Sequence, residues 1–253
     1  MELNLSGKTV LVTGSSRGIG RTIAETFIHA GCKVALNGRT AAALKQTLLE
    51  IGNIDTIAVT GDVSKPPQAK AVLDQLLDRY GKLDILVCNA GSGQSVPPGE
   101  EYLEEWHRVF EMNLWSATTI IETCRKALSQ SSGAIVCISS ICGQEVVPGA
   151  PITYSTAKAA LNAYVRGSAR PLGKLGIRIN AISPGNILFD GSVWSRKITE
   201  DSEAVAQMLE NNVSLARLGK PQDVANLAVW LASPLASFCT GSIFVADGGQ
   251  VHN

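Results

Sequence analysis

Tyr154 and Lys158 stand four residues apart in the run Tyr-Ser-Thr-Ala-Lys, downstream of Ser139-Ser140. On a helix, residues at that spacing share one face, and the lysine stem leans back over the preceding turn toward the tyrosine ring. A positive charge at about 4 Å stabilises a phenolate by roughly 1–4 kcal/mol, which brings a tyrosine starting near 10 toward about 7–9. A phenol in that range can serve as a general acid or base. The plain alternative is a surface pair on a helix, so the elements around the pair must decide.

A second chemical run lies near the start of the chain, where glycines fall at 14, 18 and 20 in Thr13-Gly14-Ser15-Ser16-Arg17-Gly18-Ile19-Gly20. This departs from the Gly-x-Gly-x-x-Gly order, but the same tasks remain. Gly14 makes a tight turn, and Gly18 and Gly20 let backbone approach a pyrophosphate and let helix pack on strand. The amides and dipole at the helix N-terminus favour the phosphate charge, with Ser16, Arg17 and Ile19 completing the cradle. The second predicted strand ends Leu36-Asn37-Gly38-Arg39, where an NAD site usually carries an acid for the ribose hydroxyls. Gly38 offers none. The guanidinium forks of Arg39 and Arg17 suit a 2′-phosphate, which favours NADP (NADPH) over NAD; both arginines as solvated surface residues is the alternative.

Such groups need a scaffold, and short apolar runs alternate with helix-period segments along the whole chain. Strands are predicted at 10–12, 33–36, 54–59, 83–87, 134–138, 177–182 and 242–245, and helices at 19–30, 41–51, 67–80, 101–129, 153–174 and 221–232. Thr40 is placed to cap the second helix and Gly31 to close the first. Continuous apolar strands between helices imply an α/β fold, a doubly wound parallel sheet covered on both faces, with ligands at the carboxyl ends of the strands. Two segments break the rhythm. One is Ser92 to Gly99; the other, about 186–214, holds Phe189, Val193, Trp194, Arg196 and Lys197, with a helix near 201–211, and reads as a substrate lid.

The 253 residues, 45% of them hydrophobic, suffice for one large domain or two smaller ones, and no boundary favours two, so 1–253 reads as one unit. The 22 basic and 22 acidic residues cancel without a long single-sign run, which argues against a nucleic-acid or anionic-membrane surface and for a small-molecule partner. Six scattered cysteines, at 32, 88, 124, 137, 142 and 239, read as buried free thiols in a reducing compartment. His29, His107 and His252 share no metal-ligand spacing, so no metal is expected. Met1-Glu2-Leu3-Asn4 shows no basic start followed by an apolar run, and no stretch approaches a membrane span. The expectation is a cytoplasmic protein.

Taken together, the chain resembles the short-chain dehydrogenase/reductase family, especially its 3-oxoacyl-(acyl-carrier-protein) reductase-like members, from about Ser6 to Gly249. The matching runs are Thr13-Gly14 through Gly20, Asp62-Val63, Asn89-Ala90-Gly91, Asn113, Ser139-Ser140, Tyr154 through Lys158, Pro184-Gly185 and Ala246-Asp247-Gly248-Gly249. The resemblance implies that Asp62 and Val63 contact adenine and that Asn89, Ala90 and Gly91 line the coenzyme as backbone. It implies that Tyr154 is the acid/base, Lys158 its partner and a ligand of the nicotinamide ribose, and Asn113 the holder of a water linked to that lysine. Ser140 is the substrate-side serine because Ser140-Ile141-Cys142-Gly143 matches the family's Ser-x-x-Gly, with Ser139 the fallback. The Ser140–Tyr154 spacing is one residue longer than usual, so 144–151 is expected to bulge.

Pro184, Gly185 and Ile187 would meet the nicotinamide end of the coenzyme, but Phe189 stands where members often have a threonine, and it is free to face substrate instead. Pro171 should kink the last turns of the Tyr154 helix. Apolar residues such as Trp115, Leu161 and Tyr164 lie on helices that build a homotetramer in this family, core packing being the alternative. The implied activity is NADP-dependent hydride transfer between nicotinamide and a carbonyl or secondary alcohol, with a 3-oxoacyl thioester as one candidate. A non-catalytic dinucleotide-binding scaffold, or an epimerase or dehydratase on a related fold, are the competing readings.

Overall fold

The computed structural model describes residues 2–251; Met1 and His252 lie outside them. Seven strands form one fully parallel sheet in the order β3-β2-β1-β4-β5-β6-β7 among these residues. They are β1 (Thr9–Val12), β2 (Lys33–Gly38), β3 (Ile57–Thr60), β4 (Ile85–Cys88), β5 (Ala134–Ile138), β6 (Arg178–Pro184) and β7 (Ile243–Ala246). Strand order reverses between β1 and β4, the point where such sheets open a crevice at their carboxyl ends.

The apolar strand runs have a direct physical reason, since neighbouring residues feed opposite cores. Leu11, Ala35, Leu86, Ile135 and Ile179 face one layer, with α3 (Pro66–Tyr80), α5 (Ser116–Gln130) and α6 (Ile152–Gly173). Val10, Val12, Val34, Leu36, Val136 and Ile182 face the other, with α1 (Gly18–His29), α2 (Ala41–Ile51) and α9 (Pro221–Ala232). Burial on both faces removes the polar alternation that a half-exposed strand would show. The predicted two-sided parallel sheet is the observed one.

Several elements differ in detail. The third strand begins at Ile57, not Ile54, because Asn53 folds back to accept from the Asp55 amide at 2.9 Å and leaves Ile54 exposed. The single helix predicted over 101–129 is three pieces: α4 (Leu103–Phe110), a π-helical turn Glu111–Trp115, and α5. The 186–214 segment carries two helices, α7 (Val193–Glu200) and α8 (Ser202–Asn212), where one was expected. Thr40 does precede α2, though with no side-chain cap bond, and α1 ends two residues before Gly31, which takes the left-handed φ of +80°. Helix α6 runs on through Pro171 to Gly173. Leu161 is core, Tyr164 packs against it, and Trp115 is 40% exposed. All six cysteines are free, with Cys142 and Cys239 only partly buried. No helix of the described residues is long and apolar enough to cross a membrane.

The end of the sheet opposite the crevice is clipped by one buried carboxylate. Asp84 accepts from the Thr9 amide at 2.9 Å and pairs with Lys8 at 3.2 Å and Lys82 at 3.0 Å, joining the starts of β1 and β4. Burial alone would raise its pKa, but the Thr9 amide and the two ammonium groups outweigh it and hold it below the usual value. A depressed carboxylate pKa adds stability above the unfolded-state value, and that stability is lost as pH falls through the folded one. Asp84→Asn should therefore cost about 1–3 kcal/mol at neutral pH. Denaturant titrations at falling pH should show the gap to the native protein closing in acid; a pH-independent gap would contradict the charge argument.

Candidate active site

The loop after β1 is shaped by contacts in which only glycine fits. Gly14 has φ +61°, and a Cβ there would come within 2.9 Å of the Ala90 backbone. At Gly20 it would meet the Asn89 side-chain amide at 2.2 Å and the Gly14 carbonyl at 2.5 Å. That Asn89 amide donates to the carbonyls of Thr13 and Gly14, each at 3.0 Å, while Thr13 Oγ1 accepts from the amides of Asn89 and Ala90 at 3.0 Å. The loops leaving β1 and β4 are thus laced together across the strand-order reversal. Asn89 and Gly20 build this lacing; Ala90 and Gly91 line the cavity beside it.

That cavity, of about 440 Å³, runs over the carboxyl ends of β1, β2 and β3. Gly14, Ser16, Arg17, Arg39, Asp62, Val63, Ala90 and Gly91 of the predicted set border it. Asp62 keeps one carboxylate oxygen for the Ser64 amide and hydroxyl, at 3.0 and 2.7 Å. No carboxylate stands at Gly38, and Arg17 and Arg39 are exposed and form no ion pair among the described residues. The glycine cradle fits the pyrophosphate of a dinucleotide. Arg108, Glu111, Met112 and Ser116 also border the cavity, from the α4–α5 side. They escaped notice in the sequence because nothing local to a helix reports which cavity it overlooks.

Tyr154 and Lys158 lie on the first two turns of α6, and Asn113 and Ser140 converge on them. Lys158 is buried, its Nζ 5.7 Å from the Tyr154 ring centre and donating to the Ile138 carbonyl at 2.9 Å. A Cβ at Gly91 would lie 2.8 Å from Asn113 Oδ1 and 3.4 Å from Lys158 Nζ, so the three groups meet at one point. Asn113 sits in the π-turn with its amide committed: Oδ1 accepts from Ser92 N at 3.0 Å, and Nδ2 donates to Ser92 O at 3.1 Å and Val109 O at 3.0 Å.

Ser140 lies two residues past β5 and caps a short 3₁₀ turn, Ile141–Gly143, its Oγ accepting from the Cys142 amide at 3.2 Å. Gly143 presses that turn against α6, where a Cβ would come within 2.6 Å of the Lys158 backbone. Ser139 instead turns its hydroxyl to the Lys158 carbonyl, at 3.4 Å. Val146 in the loop before α6 is 95% exposed.

The nicotinamide side departs from expectation at Phe189. Its ring lies over Gly18, where a Cβ would come within 2.6 Å, so it faces the glycine loop and not a substrate. Ser192 holds it there through a turn, its amide donating to the Phe189 carbonyl at 3.0 Å. Ile187 is buried in a bridge to Gly219, Gly185 packs on Asp247, and Pro184 is the last residue of β6, paired with Ala246. None of these three borders the cavity, nor do Gly18 and Ile19.

The electrostatics reverse one expectation. Burial pushes the Tyr154 phenol up to about 12; the Ser140 hydroxyl opposes this and Cys142 adds to it. Burial also draws Lys158 down to about 8. The ammonium is turned to the Ile138 carbonyl, so desolvation of the phenolate wins over the attraction that spacing alone suggested. Because the folded pKa of Lys158 lies below its ordinary 10.5, the unfolded chain binds more protons between about 8 and 10.5, and stability rises with pH there. Unfolding free energies measured across that window should show the native protein gaining on Lys158→Met as pH rises. A constant difference would refute a desolvated ammonium.

The family model for enoyl-(acyl carrier protein) reductase matches residues 14–251. The chain is 33% identical to glucose 1-dehydrogenase 2 of Bacillus subtilis, over 99% of this chain and 97% of that one. Among solved structures it is similar to a 7α-hydroxysteroid dehydrogenase complexed with NADH and 7-oxo glycochenodeoxycholic acid, at TM-score 0.89, 32% identity and coverage of 100% and 97% of the two chains. It is also similar to L-sorbose reductase of Gluconobacter frateurii complexed with NADPH and L-sorbose, at TM-score 0.92 and 29% identity with both chains fully covered. With the family model spanning residues 14–251, a relative 33% identical over nearly the whole of both chains, and a seven-stranded parallel sheet, the chain belongs to the short-chain dehydrogenase/reductase family.

Proposed function

We propose that the protein is an NADP-dependent oxidoreductase that interconverts a carbonyl and a secondary alcohol, with Tyr154 as the acid/base, Ser140 as the substrate-side donor and Lys158 and Asn113 as their support. The observation that carries this reading is the meeting of Asn113 and Lys158 at Gly91, beside Tyr154, with Gly91 itself bordering the cavity that the unpaired Arg17 and Arg39 line. A scaffold protein would have no need of a buried lysine there.

When bound, the nicotinamide supplies or accepts the hydride. In reduction, Tyr154 gives its proton to the carbonyl oxygen. Ser140 Oγ already accepts from the Cys142 amide, which leaves its own hydrogen for the developing alkoxide. Lys158 spends one donor on the Ile138 carbonyl and keeps two for the coenzyme ribose and the path that reprotonates Tyr154. A positive charge or hydrogen-bond donor brought to the Tyr154 oxygen, such as the Lys158 ammonium turned from Ile138, would offset the desolvation that holds its pKa high, so the phenol is tuned in the loaded site and not before. Asn113, its amide committed to Ser92 and Val109, fixes the loop wall and can reach a water only through the remaining lone pair of Oδ1.

We read α7 and α8 as the lid over the substrate, with Val193 and Trp194 on its apolar side, and the assembly as a homotetramer. Tyr102, Leu103, Trp115 and Ile152, exposed along α4 to α6, support a subunit contact. The free thiols support a cytoplasmic site. For the substrate, a ketone is the class this chemistry serves; a 3-oxoacyl thioester, a sugar and an oxidised steroid are the candidates.

The test is to follow NADPH and NADH absorbance against acetoacetyl-coenzyme A, L-sorbose and 7-oxo glycochenodeoxycholic acid. Tyr154→Phe should lower turnover by about 10²–10⁴-fold, and unchanged turnover would overturn the mechanism. Arg39→Asp should move the coenzyme preference from NADPH toward NADH; a native enzyme already favouring NADH would overturn the arginine argument.

A further inference from the structure

Glu105 is a buried carboxylate, 5% exposed, on α4, outside every group the reaction uses. Arg108, one turn on, grips it with Nε on Oε2 at 2.7 Å and a terminal nitrogen on Oε1 at 2.6 Å. Ser95 donates to Oε1 at 2.6 Å, and Ser95 Oγ lies 2.6 Å from Thr153 Oγ1. A carboxylate can only accept, so the single Ser95 hydrogen goes to Glu105 and the Thr153 hydroxyl must donate to Ser95. Polarity therefore runs one way, from Thr153 through Ser95 to Glu105. Thr153 immediately precedes Tyr154 in the first turn of α6.

The loop between Gly91 and Val96 is consequently pinned twice by one stretch of helix. Asn113 holds Ser92 by both backbone groups, and Glu105 holds Ser95, with Arg108 also donating to the Gln94 carbonyl at 2.9 Å. Between the two pins sits Gly93, whose Cβ would rest 3.8 Å from the Tyr154 ring. We propose that Glu105 is a positioning residue for the acid/base centre: through Ser95 and Thr153 its carboxylate sets loop 92–96 and the start of α6 against each other, and with them the Tyr154 ring. This rests on the acid/base reading of Tyr154. Arg108 and the Ser95 hydroxyl together keep the carboxyl down at about 2, so Glu105 stays ionised at working pH and exchanges no proton in the reaction.

Glutamine has the same size but cannot serve. With its oxygen toward Ser95 it turns an amide donor onto Arg108, and with the amide reversed it faces the Ser95 hydroxyl with a donor. Glu105→Gln should therefore fold, with NADPH affinity by fluorescence within about twofold of native, because Asn113 anchors Ser92 independently. With the panel carbonyl that the native enzyme reduces, its kcat/KM should fall about tenfold at every pH from about 6 to 9, since a small misplacement of a catalytic group is costly. Ser95→Ala, which leaves the Glu105–Arg108 pair intact, should reproduce the loss. Hydrogen exchange needs no substrate, and it should quicken in peptides covering 92–96 and 152–156 in both variants and nowhere else.

Native kcat/KM in both variants, or a loss matched by weakened NADPH binding and chain-wide exchange, would overturn the proposal. Tyr154→Phe separates the two levels. An inactive Tyr154→Phe beside active Glu105 and Ser95 variants sinks only the positioning role, whereas an active Tyr154→Phe sinks the acid/base reading beneath it.

Discussion

The site depends on keeping one ammonium group out of water. Lys158 lies on a helix pressed against the end of β5, and its one direct protein acceptor is the Ile138 carbonyl at that strand's last residue. Charge placed there costs free energy, as its lowered pKa records, and the surroundings are arranged to bear it. Gly91 leaves room for the ammonium, Asn113 brings an oxygen to the same point, and Gly143 lets the serine-bearing turn close on the backbone of α6. Each of these glycines is a place where one methyl group would push its neighbours apart.

That arrangement in turn needs a sheet whose strands all end on one side. Parallel strands with both faces buried leave loops as the only exposed parts, and the reversal of strand order between β1 and β4 parts two of those loops into a crevice. Thr13 and Asn89 then tie the loops together, so that the glycine loop and the Gly91 segment beside Lys158 form one wall. The clip at Asp84 lies at the other end of the same strands. Stability and chemistry are thereby kept on opposite edges of the sheet.

The two halves of the crevice differ in readiness. On the β1 to β3 side the cavity is open and bordered by free guanidiniums. On the β6 side the Phe189 ring covers Gly18. An aromatic ring gives area and no directed hydrogen bond, so binding there is set by displacement and packing of that ring.

The order of strands and helices, the parallel sheet, the glycine loop and the Tyr154–Lys158 pair were legible in the chain because each is a local pattern: period, spacing or residue type. Local patterns did not single out Asn113 and Ser140, which only the resemblance to the family named. Nor could such patterns show that Asn53 would shorten the third strand, that a π-turn would carry Asn113, or that Phe189 would lie on Gly18, since each follows from contacts between distant segments. The clearest division is at Tyr154. The sequence by itself determined that a phenol and an ammonium share a helix face. Only the tertiary structure decided that both are desolvated, with the ammonium turned to Ile138, because burial depends on what the rest of the chain packs around the pair and not on their spacing.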